Sequence, residues 1–300
     1  MTDLDAVVLN FSGSNLLVMN AILAIVMFSI ALDLKPSDFA RLVRAPKPVL
    51  TGLISQFIVL PALSFLLVLL VQPRASVALG LILVAACPGG NISNFITHRA
   101  GGNAALSVSM TAFATVGAIL ITPLNIAFWG QLYAPTREIL NRVAIDPVQI
   151  AITVSLMLVL PLVLGIFLNS RRPVLADGMR RPMQNLSMLI FLAFVVLALA
   201  ANWAFFLQFA PYVGGLVLLH NAIALAAGYG TAFLAGLSEY DRRAVTIETG
   251  IQNSGLGLVL IFGFFNGLGG MAVVAALWGI WHVVSGLCLA QLMSRHEAKR

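Results

Sequence analysis

Charge is what this sequence has least of. Asp, Glu, Lys and Arg make up 9% of its 300 residues, against 60% hydrophobic residues, where a soluble domain carries about 25% charged residues. That shortage excludes an ordinary water-exposed surface and makes a bilayer the expected solvent. Cysteine is scarce too: Cys87 and Cys288 both lie inside apolar runs, and no disulfide framework or cysteine metal cluster follows from them. Acids inside the apolar runs are scarcer still, since Glu248 alone of 11 Asp and Glu stands clearly within one. The basic excess, 17 Lys and Arg over 11 acids, does not read as nucleic-acid binding. The cations sit in short loops between apolar runs, where they report membrane orientation. The pattern of a secretory leader is missing as well: Asp3 and Asp5 occupy the place of its positive charges, and no small-residue cleavage site follows the first apolar run.

What is there is a series of long apolar runs. The sequence predicts nine spans, at about 14–35, 47–71, 76–98, 103–129, 147–169, 183–207, 211–236, 243–266 and 270–293. They are continuous and too long for barrel strands of about 10 residues, so an all-α polytopic membrane protein is expected. The rest is short loops and tails, so 1–300 reads as a single transmembrane domain. Nine is odd and puts the termini on opposite sides. Fourteen of the 17 Lys and Arg fall on the side of the C-terminal tail, leaving Arg74, Arg137 and Arg142 on the other. The bias predicts a plasma (inner) membrane protein with its N-terminus outside and its C-terminus in the cytoplasm.

Two spans carry breakers. The third contains Cys87-Pro88-Gly89-Gly90-Asn91-Ile92-Ser93-Asn94, and the eighth contains Glu248-Thr249-Gly250-Ile251-Gln252-Asn253-Ser254-Gly255. Pro removes a backbone donor and Gly adds conformational freedom, so both helices should be interrupted. Backbone freed at membrane depth is tolerated only against protein or a wet cavity. Each broken span is followed by one more long span and preceded by one with polar residues in its body, Gln56 in the second and His220-Asn221 in the seventh. The broken spans enter from opposite sides. Matching the first four spans to the last four, with the fifth as an extra helix, gives an inverted repeat with two discontinuous crossing helices, a secondary-transporter architecture.

Glu248 needs a positive partner, because an acid at a span centre is destabilising by about 2.5–3.5 kcal/mol on the lower scales. No Lys or Arg lies within the body of any span, Lys47 and Arg243 standing at span ends, which leaves a proton or a bound cation such as Na+. Gln56, Ser93, Asn94, Ser107, Thr111 and Gln252 offer neutral oxygens inside the spans, and hard cations take oxygen ligands. Ser107 and Thr111 are four apart and share a helix face. Glu248 and Gln252 have the same spacing across the second break.

These motifs resemble the bile acid:sodium symporter family. The residues that carry the resemblance are Cys87-Pro88-Gly89-Gly90-x-x-Ser93-Asn94, Gly102-Asn103-x-x-Leu106-Ser107 with Thr111, and Glu248-x-Gly250-x-Gln252-Asn253-Ser254-Gly255. Leu34-Lys35-Pro36-Ser37-Asp38-Phe39, Gln56-Phe57, His220-Asn221 and Trp281-His282 extend it over nearly the whole chain. The resemblance implies two inverted five-helix units arranged as a core (about 47–129 and 211–293) and a panel (about 14–35 and 147–207). It implies two sodium sites. One uses Ser93, Asn94, Ser107, Thr111 and Glu248; the other uses Gln56, Glu248, Gln252 and backbone carbonyls near Thr249 and Ile251. The chain departs from the family in three places. Bacterial members often have ten helices, Asn91 stands where a small residue or Thr is frequent, and Val283 follows His282 where a polar residue can occur.

The expected function is sodium-coupled symport of an organic anion, bile acid-like or a small carboxylate, into the cell by alternating access. The half-helices starting near Asn91 and Asn253 should present N–H groups and a positive dipole end to the anion, with Asn91, Asn253 and His282 as donors. Sodium and anion would then raise each other's affinity. The alternative is a proton-coupled carrier or exporter with Glu248 as the proton site. An enzyme is not expected, since no His-x-x-x-His pair or nucleophile–base pair lies within one span, and a channel is not, since no ring of charge or filter motif occurs. The partners expected are sodium, a small organic anion and the lipid bilayer, with no nucleic acid and no cofactor beyond the coupling ion.

Overall fold

The structure, a computed structural model, describes residues 46–142, 159–161, 163–201 and 203–295, with Asp5 and a few positions between 21 and 32. Most of the first and fifth expected spans lies outside the described residues. Among the described residues the regular structure is helical: α1 (Pro46–Val71), α2 (Ala75–Ala86), α3 (Ile92–Arg99), α4 (Ala104–Leu132), α5 (Ala134–Arg142), α6 (Pro173–Ala201), α7 (Trp203–Leu234), α8 (Glu239–Gly250), α9 (Ser254–Phe264) and α10 (Gly269–Met293). Among the described residues four stretches are long and apolar enough to cross a membrane: α1, α4, Phe206–Leu234 of α7, and α10.

The two breaks fall where the Pro and Gly residues stand. α2 ends at Ala86 and α3 begins at Ile92; α8 ends at Gly250 and α9 begins at Ser254. α2 and α9 have 12 and 11 residues, so each spans about 16–18 Å, roughly half a bilayer. Ser76 to Ala86 of α2 are all buried, which explains its lack of a polar face: protein surrounds it. Leu79, Leu83, Leu260, Val274 and Trp278 share its core with α9 and α10.

Other boundaries differ from the sequence reading. The helix expected at 183–207 starts at Pro173, and the one expected at 211–236 starts at Trp203. Pro182 and Pro211, which stand at the expected starts of these spans, lie inside α6 and α7. Arg180 therefore sits on a helix, donating to the Leu32 carbonyl at 3.0 Å and pairing with Asp177 at 2.7 Å. The eighth span begins four residues early, at Glu239, because Ser238 caps it by accepting from the Asp241 N–H. Arg243 is thus within a helix and buried, its guanidinium on the Ala100 carbonyl at 2.8 Å. Residues 134–142, expected as loop, form α5.

A third irregularity has a readable cause. Residues Ser55–Val59 form a π-helical turn in α1. Pro61 has no N–H to give the carbonyl of Phe57 one turn back. Asn125 of α4 takes that carbonyl instead, at 3.1 Å. Single π turns of this kind often mark functional sites, and this one contains Gln56.

Candidate cation site at the helix crossing

The two breaks cross and are bonded to each other through their backbones. Gly90 N–H donates to the Ile251 carbonyl, and Asn253 N–H to the Pro88 carbonyl, both at 2.8 Å. Gly89 and Gln252 form an antiparallel bridge between them. The close approach requires glycine at 89: a Cβ there would lie 2.3 Å from Glu248 Oε1.

Glu248, fully buried in the last turn of α8, turns its carboxylate to residues of α3 and α4. Ser93 and Ser107 donate to Oε2, the latter at 2.9 Å, and Thr111 donates to Oε1 at 2.6 Å. The spacing of Ser107 and Thr111 works as read, since both reach the same carboxylate from one face of α4. The Thr111 hydroxyl also has Asn94 Oδ1 at 3.3 Å and the Ser107 carbonyl at 3.0 Å. One hydroxyl proton cannot serve three acceptors, so the cluster holds more oxygen lone pairs than protons. None of the ion pairs among the described residues involves Glu248, and no group of three or more His, Cys, Asp or Glu occurs among those residues. A carboxylate among neutral oxygens suits a hard cation better than a soft metal.

Gln56 and Gln252 form a second, adjacent cluster. Gln56 Nε2 lies 3.5 Å from Gln252 Oε1, and Gln252 Nε2 donates to the Thr249 carbonyl at 2.7 Å. Gln56 Oε1 is buried and without a hydrogen-bond partner, an orphaned acceptor of the kind that an ion or water satisfies. No hydrogen bond among the described residues joins Glu248 to either glutamine. The Ile251 carbonyl already accepts from Gly90, so one of its two lone pairs is engaged.

Asn91 and Asn253 occupy matching cap positions, before α3 and before α9, but they are not equivalent. Asn253 accepts the Leu256 N–H at 3.0 Å through its side chain, whereas Asn91 is already helical at φ −54°, ψ −25° and makes no cap bond. The starts of the half-helices also hold fewer open donors than expected. Ser93 N–H goes to the Gly90 carbonyl at 2.8 Å and Ser254 N–H to the Gln252 carbonyl at 2.9 Å, because the turns before each half-helix fold back on its first amides. His282 is buried on α10 with Nδ1 unpartnered, and no hydrogen bond among the described residues joins it to either asparagine.

The sequence reading missed several residues here. Thr97 follows Ser93 by one helical turn and reaches the Ser107 hydroxyl at 3.4 Å; its spacing was the available signal. Ser55, next to Gln56, accepts from the Thr249 hydroxyl at 3.1 Å. Thr122 holds the freed Ala86 carbonyl at 2.6 Å, and nothing local in the sequence marks that pairing.

Broken apolar helices crossing at a buried acid define a multi-pass membrane transporter. The profile of the Sodium Bile acid symporter family matches residues 20–209. An uncharacterized sodium-dependent transporter, YocS of Bacillus subtilis (strain 168), is 33% identical over 93% of this chain and 83% of its own length. The probable chloroplastic sodium/metabolite cotransporter BASS2 of Oryza sativa subsp. japonica is 33% identical over 79% of the chain and 55% of its own length. The Sodium-dependent organic anion transporter of Mus musculus is 26% identical over 92% and 73%. The chain belongs to the sodium bile acid symporter family, and it is a transport protein rather than an enzyme.

Proposed function

We propose that this protein carries an organic anion into the cell together with sodium, by alternating access. The observation that carries the reading is the buried Glu248 carboxylate, surrounded by the hydroxyls of Ser93, Ser107 and Thr111 and unpaired by any cation among the described ion pairs. One sodium ion would lie among Ser93, Asn94, Ser107, Thr111 and Glu248. A second would lie between Gln56 and Gln252, with the carbonyls of Thr249 and Ile251 and a share of Glu248. The orphaned Gln56 Oε1 supports that second position. The relatives' printed names, sodium-dependent transporter and organic anion transporter, point the same way.

The nine-span inverted repeat belongs to this proposal, with the N-terminus outside and the C-terminus cytoplasmic. So does the division into core and panel. Its support is that Arg180 and Ser187 of α6 reach Leu32 and Ser29 of the first span, while the crossing is enclosed by α1, α4, α7 and α10. Thermal unfolding of the purified protein in NaCl against KCl, repeated with a panel of organic acids, tests the reading, since a ligand bound only to the folded state raises stability by mass action. Stabilisation that follows pH and ignores sodium would transfer Glu248 to proton coupling.

Two sites imply separable effects. Ser107→Ala with Thr111→Ala is expected to weaken one and Gln56→Ala with Gln252→Ala the other, each lowering the Hill slope of sodium-dependent uptake. An unchanged slope and half-saturation in both double variants would count against two sites. The anion is proposed to bind at the crevice beside Asn91 and Asn253, with His282. Asn91 carries most of this expectation, since its amide is not tied to its own helix. A hydrogen bond to a charged group contributes about 1.5–3 kcal/mol, so Asn91→Ala should weaken anion binding about tenfold or more and spare sodium affinity measured without anion. Loss of sodium affinity with intact anion binding would move Asn91 into the cation site.

A further inference from the structure

Four backbone carbonyls of the second break lie in sequence, at 249 to 252, and three of them find partners within the crossing itself. Thr249 O accepts from the side chain of Gln252, Ile251 O from Gly90, and Gln252 O from Ser254. The carbonyl of Gly250 is different: its donor comes from α7, where Asn221 Nδ2 reaches it at 2.9 Å. Asn221 is 1% exposed. The Ser285 hydroxyl of α10 donates to its Oδ1 at 2.6 Å, which fixes which end of the amide faces Gly250.

The rest of the α7 face is shaped to the same strip of α8. Asn221, Leu225 and Gly228 recur at helical spacing. Leu225 fills the space where Gly250 would carry a side chain, with Cδ2 2.2 Å from that Cβ position. Gly228 lies against Thr246 and Thr249, its Cβ position 3.1 Å from Thr249 Cβ. Asn221 therefore supplies the polar anchor of a close-fitting seat, and the anchored peptide lies between Thr249 and Ile251.

We propose that Asn221, held by Ser285, is a positioning residue for the cation bound on the Gln56–Gln252 side of the crossing. It fixes the Gly250 carbonyl, and so orients the adjacent peptides of Thr249 and Ile251 and the Gln252 side chain toward Gln56. Asn221 itself contacts no ion. This inference rests on the sodium reading above. Asn221 and Gly250 are both buried, and a buried carbonyl left without its donor is destabilising, so without Asn221 the Gly250 peptide turns to find another, and the neighbouring carbonyls turn with it.

The test uses the full-length protein with Asn221→Ala and, separately, Ser285→Ala, which leaves the Asn221 donor in place but frees the amide to rotate. Sodium half-saturation without anion, the sodium Hill slope of uptake, and anion affinity at saturating sodium are measured for each. Asn221→Ala is expected to raise sodium half-saturation about tenfold and to lower the Hill slope toward one. Anion affinity at saturating sodium should return to within about twofold of wild type. Ser285→Ala should give the same pattern at smaller size. A merely structural role would lower melting in KCl and anion affinity together, with no recovery at high sodium, and that result overturns the proposal. Unchanged sodium half-saturation in a folded Asn221→Ala protein overturns it too, and should that variant fail to fold, Ser285→Ala decides by the same criteria. If wild type itself ignores sodium, the sodium reading fails and takes this inference with it; a sodium-responsive wild type with indifferent variants defeats this inference alone.

Discussion

Glu248→Ala is expected to abolish sodium-dependent stabilisation and sodium-dependent uptake. The carboxylate is the single acceptor shared by Ser93, Ser107 and Thr111, and these hydroxyls reach it from two different helices, α3 and α4. Removing it takes the only formal negative charge from the cluster and leaves the Ser93 and Ser107 hydroxyls to find other acceptors, while Thr111 keeps the Ser107 carbonyl at 3.0 Å. A ligand at 100 times its dissociation constant stabilises the folded state by about 2.7 kcal/mol, and that increment should vanish at both proposed positions. Glu248→Gln keeps the size and removes the charge, so it separates the two contributions. Its melting in KCl should stay near wild type while its response to NaCl disappears. Equal NaCl stabilisation of wild type and either variant would sink the assignment.

Gly89→Ala is expected to have nearly as large an effect on sodium for a different reason. The added methyl lies 2.3 Å from Glu248 Oε1 and 2.8 Å from its Cδ, so one of the two must move. The obstacle is the end of a side chain rather than backbone, which lets the fold survive. That end is held at Oε1 by Thr111 at 2.6 Å, so moving it dismantles the cluster. The variant should therefore fold and bind sodium at least tenfold more weakly, about 1.4 kcal/mol or more. Wild-type sodium affinity in Gly89→Ala would show that the carboxylate does not define the site.

The parts of this architecture that were legible in the sequence are those written in local chemistry. Pro88 and Gly89-Gly90 forecast one break, and Gly250 the other. The four-residue spacing of Ser107 and Thr111 placed both on one helix face, and Glu248 was conspicuous as the acid within a span. What stayed hidden depended on packing. Pro182 and Pro211 look like terminators, yet α6 and α7 run through them. The carbonyls that prolines and glycines release are satisfied by Asn125, Thr122 and Asn221, which lie 68, 36 and 29 residues away in sequence. No periodicity records such pairings. The difference between Asn91 and Asn253 was likewise invisible, because it lies in backbone angles rather than in residue type.

The crossing itself is fastened by main-chain groups on both sides: Gly90 to Ile251 and Asn253 to Pro88. Such a fastening carries no information about which side chains flank it. Mutation can recolour the remaining side chains of the two segments, provided that the peptide N–H at 90 and 253 survives and no bulk intrudes at 89 or 250. Selection can therefore retune the chemistry on either face of the junction, for a new cargo or a new ion preference, without renegotiating the joint that keeps the two broken helices together. The two bonds that join the broken helices are thus indifferent to most of the side chains around them.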